Sequence, residues 1–333
     1  LTTDRSSSTT SNFVLRAVDA ASNTTSRAFS ITELPTGRQS FTSSGTFSVP
    51  TGITAVDVLV VGGGGGSGRR GGGGGAGGLI FRPGFPVTPG GTVTVTVGCG
   101  GSPASTQTGP GMRGGNGQDS VFGTLTAKGG GGSGGAQTGG SLEPAEQPNL
   151  RAGLPGGSGG GHARDGAIPV TGAASTATQP TQSGDSGAYG FGNAGGVSRS
   201  CSSSGAGGGG GAGAVGAQGG TSPEVGAYGG PNAVPGHEFA GDGGVGKAYT
   251  IADGTTSVYY AGGGGGTVNA PAPVEPTNRG FGGQGGGGQG GFYVSNQRGT
   301  AGQANTGGGA GGGSESQSPV GVSGGKGVVI VKF

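Results

Sequence analysis

Apolar residues in this chain fall into a few short runs, separated by long stretches that contain almost none. Residues 53–61 are the strongest run. Val56, Val58 and Val60 share one face, and Leu59 and Val61 make the end apolar on both, the pattern of a strand covered on two sides. Residues 92–97 alternate Thr with Val and predict a strand with Val inward. Residues 121–127 predict another. Residues 41–49 form an alternating run that leads through Pro50-Thr51-Gly52 into the strongest one. Residues 248–251 and 257–260 bracket Asp253-Gly254, a hairpin signal. Residues 328–333 predict a terminal strand. Runs this short must cover one another, so the economical solution is a small β-sandwich closed by the extreme C-terminus. Nearer the start, residues 13–19 and 28–34 flank a turn-rich Ser22-Asn23-Thr24-Thr25. Two strands do not make a stable domain alone. Residues 1–36 therefore read as the end of a truncated immunoglobulin-like module or a connector, and residues 37–333 as one glycine-rich domain.

Composition explains what fills the gaps. Glycine accounts for 95 of 333 residues, yet residues 1–50 contain only Gly37 and Gly45. Val, Leu, Ile and Phe make up 54 of the 333 residues, below the ~20% at which an ordinary core becomes hard to build. A conventional α/β enzyme domain is excluded, and helices are disfavoured because glycine costs about 1 kcal/mol per helical position relative to alanine. Disorder normally comes with high charge, whereas only 10% of this chain is charged and its net charge is +2. The glycines cluster in runs of three to five: 62–66, 71–75, 129–132, 159–161, 207–211, 262–266, 285–288, 307–309 and 311–313. No strict Gly-X-Y period persists, so collagen is excluded. Nine such runs in a weakly charged chain point instead to polyglycine II, an extended left-handed helix with about three residues per turn and no internal hydrogen bonds. Its outward N–H and C=O groups must be satisfied by neighbouring rods. The predicted fold is all-β: a small sandwich with a bundle of polyglycine II helices and almost no α-helix. Runs with glycine on all faces should lie centrally, and Gln284 should face water.

The candidate chemistry is sparse. No helical pattern follows any Gly-x-Gly-x-x-Gly match, and no phosphate-binding loop is present. Gly114-Gly115-Asn116-Gly117-Gln118-Asp119-Ser120-Val121-Phe122 matches one nonapeptide calcium repeat. A single copy running into a strand reads as a glycine turn, because that motif works as stacked copies. His162 near Asp165, and His237 beside Glu238, lack a nucleophile on a strand-to-helix elbow and read as solvated loop residues. Cys99 and Cys201 show no metal-ligand spacing; they read as two inert thiols, with a single disulfide as the alternative. We expect no catalytic residues, no metal, no cofactor, no nucleic-acid partner and no membrane span.

The remaining non-glycine material lies in inserts between the runs, at 101–113, 141–155, 162–204, 221–260, 267–280 and 292–306. They carry many of the aromatic and charged residues, which recognition surfaces enrich. The longest insert, 162–204, offers Arg164, Asp165, Tyr189, Phe191 and Arg199 against a Ser/Thr background, and these five are the candidate receptor-binding residues.

One resemblance draws the pieces together. Residues 41–66, reading FTSSGTFSVPTGITAVDVLVVGGGGG, resemble the opening of the glycine-rich domain of bacteriophage tail-fibre and related virion proteins. The later pieces keep the same order: GGGGGAGGLI at 71–80, VTPGGTVTVTVGCGG at 87–101, GGNGQDSVFGTLTAKGGGG at 114–132, NTGGGAGGG at 305–313 and SGGKGVVIVKF at 323–333. The expected bundle is similar in kind to that of the T-even-type phage adhesin, whose tip loops recognise host receptors. No residue of those loops matches here. The resemblance implies a non-enzymatic attachment module on a virion fibre, extracellular, with a host-surface receptor (protein or glycan) and other fibre subunits or upstream domains as partners. A structural fibre spacer and an ice-binding protein are the alternatives.

Overall fold

The computed structural model describes residues 8–105, 112–136, 150–164, 175–179, 189–198, 205–221, 238–268, 278–292, 297–313 and 320–333. Its strands, in chain order, are β1 (Thr9–Val18), β2 (Thr24–Glu33), β3 (Arg38–Phe41), β4 (Gly45–Ser48) and β5 (Ala55–Val61). There follow β6 (Leu79–Pro86), β7 (Thr92–Thr96), β8 (Ser120–Phe122), β9 (Leu125–Ala127) and β10 (Gly190–Phe191). The last are β11 (Gly220–Thr221), β12 (Glu238–Phe239), β13 (Lys247–Tyr249), β14 (Val258–Tyr260) and β15 (Val328–Lys332). Among the described residues, no helix is long and apolar enough to cross a membrane.

Two antiparallel sheets form the predicted sandwich. One has the order β10-β6-β5-β15-β3 and the other β4-β7-β8-β9. Val56, Val58 and Val60 from β5 and Val329 and Val331 from β15 meet Phe47, Val95, Phe122 and Leu125 in the core between them. The alternate residues Leu59, Val61, Val328 and Ile330 point the other way, into a second core roofed by the β13–β14 hairpin through Ile251 and Tyr260. The five-stranded sheet is thus buried on both faces, which is why β5 and β15 read as continuous apolar runs. The C-terminal strand is paired on both sides: Val329 pairs with Val60 on one side and Phe41 on the other.

Three elements differ from the sequence reading. Residues 41–49 are not one strand; β3 and β4 belong to different sheets, and the bend at 42–44 carries the chain round the sandwich corner. Residues 121–127 are a tight hairpin, because Gly123 takes φ 55 and returns the chain so that Phe122 faces Leu125. β6 has no counterpart in the reading, since Pro83, Gly84 and Pro86 obscure it. Gly84 adopts φ 62 and donates its N–H to Asp57 Oδ1 at 3.0 Å.

Most of the glycine runs are rods that hydrogen-bond to one another, as polyglycine II requires; the run at 285–288 instead opens in a turn at 284–286, with Gly285 at φ 107 and Gly286 at φ 90. Gly62, Gly63 and Gly64 donate to the carbonyls of Gly78, Gln118 and Gly325; Gly65, Gly66 and Ser67 then donate to Gly75, Gly115 and Val322. The same three neighbours recur every third residue. Carbonyls follow the same rule: Gly63, Gly64 and Gly65 accept from Gly130, Gly101 and Ala310, and Gly66 and Ser67 from Ser133 and Ala104. One rod therefore has six neighbours, three through its donors and three through its acceptors. The rods at 71–78, 205–212 and 261–268 repeat the pattern; Gly209 and Ala212, for instance, donate to Gly264 and Ala261. The glycine positions leave no room for side chains at this spacing: a Cβ on Gly264 would collide with the backbone carbonyl of Ala310. Gln284, on the outside, is exposed.

The β1–β2 hairpin stands apart. Every residue of both strands is exposed. Its turn is fixed by Asp19 Oδ1, which accepts the N–H groups of Ala21 and Asn23 at 2.9 and 2.8 Å. The Asn23 side chain also bonds Asp19 and pulls its carboxyl below the usual carboxylate range. Phe13 and Phe29 stack across the strands with centroids 5.6 Å apart.

Candidate functional site

The rods set up a direction. The rod at 62–67 leaves the sandwich at the end of β5, turns at residues 68–70, and the rod at 71–78 returns to β6. Six residues at a rise of ~3.1 Å span about 19 Å, so this turn marks the far end of the bundle. Arg70 sits in it with φ 45, and the Gly71 N–H closes it on the Gly68 carbonyl at 3.2 Å.

Other rods terminate at the same level. Arg69 N–H donates to Met112, Ala136 N–H to Arg69, Arg164 N–H to Arg70, and Thr267 N–H to Gly71. Ala104 bonds Ser67, Leu150 bonds Gly135, Ser198 bonds Gly205, Asn278 bonds Ala240, and Phe292 and Gln297 exchange both backbone bonds. The Thr267 hydroxyl donates to Gly313 at 3.0 Å. Consequently the described residues flanking 106–111, 137–149, 199–204, 269–277, 293–296 and 314–319 gather at the end away from the sandwich. Ala240, Val268 and Phe292 form a small apolar cluster there.

This end is also rich in arginine. Arg69, Arg70, Arg151 and Arg164 are buried, and Arg113 is half-buried. At a rod terminus the last carbonyls lose their rod partners, and long guanidinium side chains reach back to them. Arg69 Nη1 donates to Ala136 O at 3.2 Å, and Arg113 Nη2 to Ala152 O at 2.6 Å. Burial pushes the Arg113 and Arg151 guanidinium groups below their ordinary range. The adjacent Arg69-Arg70, sitting between two glycine runs, is the sequence signal for this cluster.

The three of the five sequence-predicted residues that are described do not converge. Arg164 lies buried at the far end. Tyr189 and Phe191 lie at the opposite end, against the sandwich: Phe191 pairs with Leu79 as an extra strand beside β6. Tyr189 lies with its ring centroid 5.2 Å from the Arg82 guanidinium, and Phe191 with its centroid 4.0 Å from Lys247 Nζ. Asp165 and Arg199 fall outside the described residues. The stretch 162–204 is not a single insert, because 175–179 and 189–198 bond along the rods. Thr178 donates to Gly156, and His162 and Gly159 donate to Gly196 and Asn193. His162 is correspondingly no solvated loop residue; it continues the rod of 159–161 and is fully buried. His237 and Cys201 lie outside the described residues, and Cys99 carries a free, exposed thiol.

The aspartate of the nonapeptide match is engaged within the fold. Asp119 pairs with Lys128 Nζ at 2.8 Å and accepts the Gly129 N–H at 2.8 Å. Residues 114–118 are a rod leading into β8, and Asn116 ties it to neighbours through Gly132 N–H and Pro155 O. The motif thus serves as a rod-to-strand junction.

Comparison with known families matches residues 41–333 to the model of the glycine-rich domain, and the chain belongs to that family. No curated protein matches it.

Proposed function

We propose that this glycine-rich domain protein is a non-enzymatic attachment module of a virion, the tip of a phage tail fibre or adhesin whose partner is a host cell-surface receptor, protein or glycan. The observation that supports this reading is the convergence of rod ends. A rigid bundle fixed to a sandwich at one end presents the flanks of at least six intervening segments at the other. Recognition residues concentrate on such loops, because a rigid scaffold leaves them free to vary. The bundle's hydrogen bonds are made by the rods, so the segments between them tolerate replacement. The arginine cluster adds positive charge to the same end, which speeds encounter with anionic cell surfaces.

The test exchanges segments at the two ends. Replacing residues 137–149 and 269–277 with Gly-Ser linkers, in separate variants, should leave the melting transition in place. At least one replacement should reduce host-cell adsorption. Replacing 180–188, flanked by Gln179 and Tyr189 at the sandwich end, should leave adsorption unchanged. Adsorption that survives every far-end replacement would instead favour a structural spacer.

A further inference from the structure

A cleft of about 280 Å³ opens at the rim of the five-stranded sheet, remote from the arginine-rich end. It arises from the face alternation already described. On the outer face, Leu59 and Ile330 are buried beneath the β13–β14 hairpin, and two residues further along come Asp57 and Lys332. Lys332 pairs in register with Asp57 on one side and Arg38 on the other. Cross-strand neighbours lie about 5 Å apart, so the rim carries a row of carboxylate, cation and cation, in the order Asp57, Lys332, Arg38. Asp57 Oδ2 is 3.4 Å from Lys332 Nζ, and its Oδ1 holds the Gly84 N–H.

The hairpin turn overhangs this row. Asp253 Oδ1 accepts the N–H groups of Thr255 and Thr256 at 2.8 and 2.7 Å, which fixes the turn. Gly254, at φ 84, leaves space that the Arg38 guanidinium occupies; a Cβ there would strike its Nη2. The wall between row and turn is aromatic. Phe81 and Tyr249 have ring centroids 4.7 Å apart, tilted by 37°.

We propose that this cleft binds one neutral hexopyranose unit of a glycan. Aromatic rings supply an apolar platform for the C–H face of a sugar ring. The rim supplies one acceptor and two donors side by side, and vicinal hydroxyls, which both donate and accept, match such a row. Asp57 is ion-paired with Lys332 and the Arg38 guanidinium is engaged beneath the Gly254 turn, so the row offers no unpaired charge to an ionic ligand. The volume is near the lower limit of ligand clefts, about 300 Å³, which fits a single sugar. This proposal is independent of the attachment reading, since it concerns the opposite end of the molecule.

Saturation-transfer NMR on the full chain tests it, with the methyl glycosides of glucose, galactose and mannose and with methyl glucuronide as probes. At least one neutral glycoside should bind in the millimolar range and the glucuronide more weakly. Phe81→Leu keeps an apolar side chain without the ring, and Lys332→Met keeps the exposed stem without the charge; each should weaken binding about tenfold. Lys332→Met, at an exposed strand end, keeps the test open if Phe81→Leu lowers the melting temperature. Tighter binding of the glucuronide would overturn the neutral-sugar assignment. Absence of transfer from every glycoside, or affinities unchanged in a folded Lys332→Met variant, would overturn the site.

Discussion

The sandwich and the bundle solve the same problem with opposite means. In the sandwich, side chains do the work: Phe47, Phe122, Val58 and Val329 are packed between two sheets, and each strand needs only its immediate partners. In the bundle the backbone does it. A rod such as 62–67 has donors in three directions and acceptors in three more, and its glycine positions leave no room for a side chain. Ordering glycine is entropically costly, and a single hydrogen bond contributes only about 0.5–1.5 kcal/mol net. The rods are therefore stable only as a group, anchored by a core they do not themselves supply. Removing a methyl damages the first region, and adding one damages the second.

The comparison breaks most severely at the strand the two regions share. β15 is an interior strand of the five-stranded sheet, between β5 and β3, and the rod at 322–327 runs directly into it. Deleting residues 328–333 should abolish the cooperative thermal transition altogether; a truncated protein that melts like the parent would show that the bundle stands without the sandwich.

Next come single substitutions of opposite sign. Gly264→Ala forces a methyl onto the Ala310 carbonyl, where only backbone could give way. It should cost more than the ~1–3 kcal/mol typical of overpacking. Leu59→Ala, in the second core, should cost about 2–5 kcal/mol by leaving a cavity. Gly84→Ala meets no atom within 4 Å and carries only the strain of φ 62, about 1–2 kcal/mol. Urea unfolding of the three variants measures this order, and a Gly264→Ala protein as stable as Gly84→Ala would contradict the rod packing.

A calorimetric difference should follow from the same contrast. Exposing peptide groups lowers the heat capacity of unfolding while exposing apolar surface raises it. Because the bundle buries mainly backbone, the heat-capacity change per residue should fall well below the usual ~12–15 cal/mol/K. An ordinary value would mean that apolar burial dominates after all.

The smallest effect sharpens the picture at a rod junction. Asp242 is held in the bundle, where burial raises its carboxyl pKa against the opposing pull of the Phe281 N–H, 2.7 Å from Oδ1. A raised native pKa means that the charged form weakens the fold at neutral pH and that this cost fades as protonation sets in. Asp242→Asn keeps the acceptor without the charge. It should raise the melting temperature slightly at pH 7, and the gain should shrink as pH falls toward the model-peptide value of 3.8. A gain that persists or grows on acidification would contradict the assignment.

Much of the architecture was legible before any coordinates. The alternation at Val56, Val58 and Val60 against Leu59 and Val61 foretold a strand buried on two sides, and the run at 328–331 foretold its partner. The glycine runs foretold rods, because nothing else satisfies so many unbranched peptide groups without a core. The candidate site was less legible. Tyr189 and Phe191 belong to the same stretch between glycine runs as Arg164, yet they lie at the other end of the molecule.

Local sequence thus determined most of the strands and rods, though not β6 or the hairpin at 121–127. Tertiary structure alone decided which rods are neighbours, which way each runs, and hence which inserts share an end. The reason is physical. A strand carries its partner preference in side chains that must face a particular core, whereas a glycine rod presents the same hydrogen-bonding surface on every side. Its neighbours are chosen by where the anchoring strands begin and end, and that information resides in the sandwich, far from the rod.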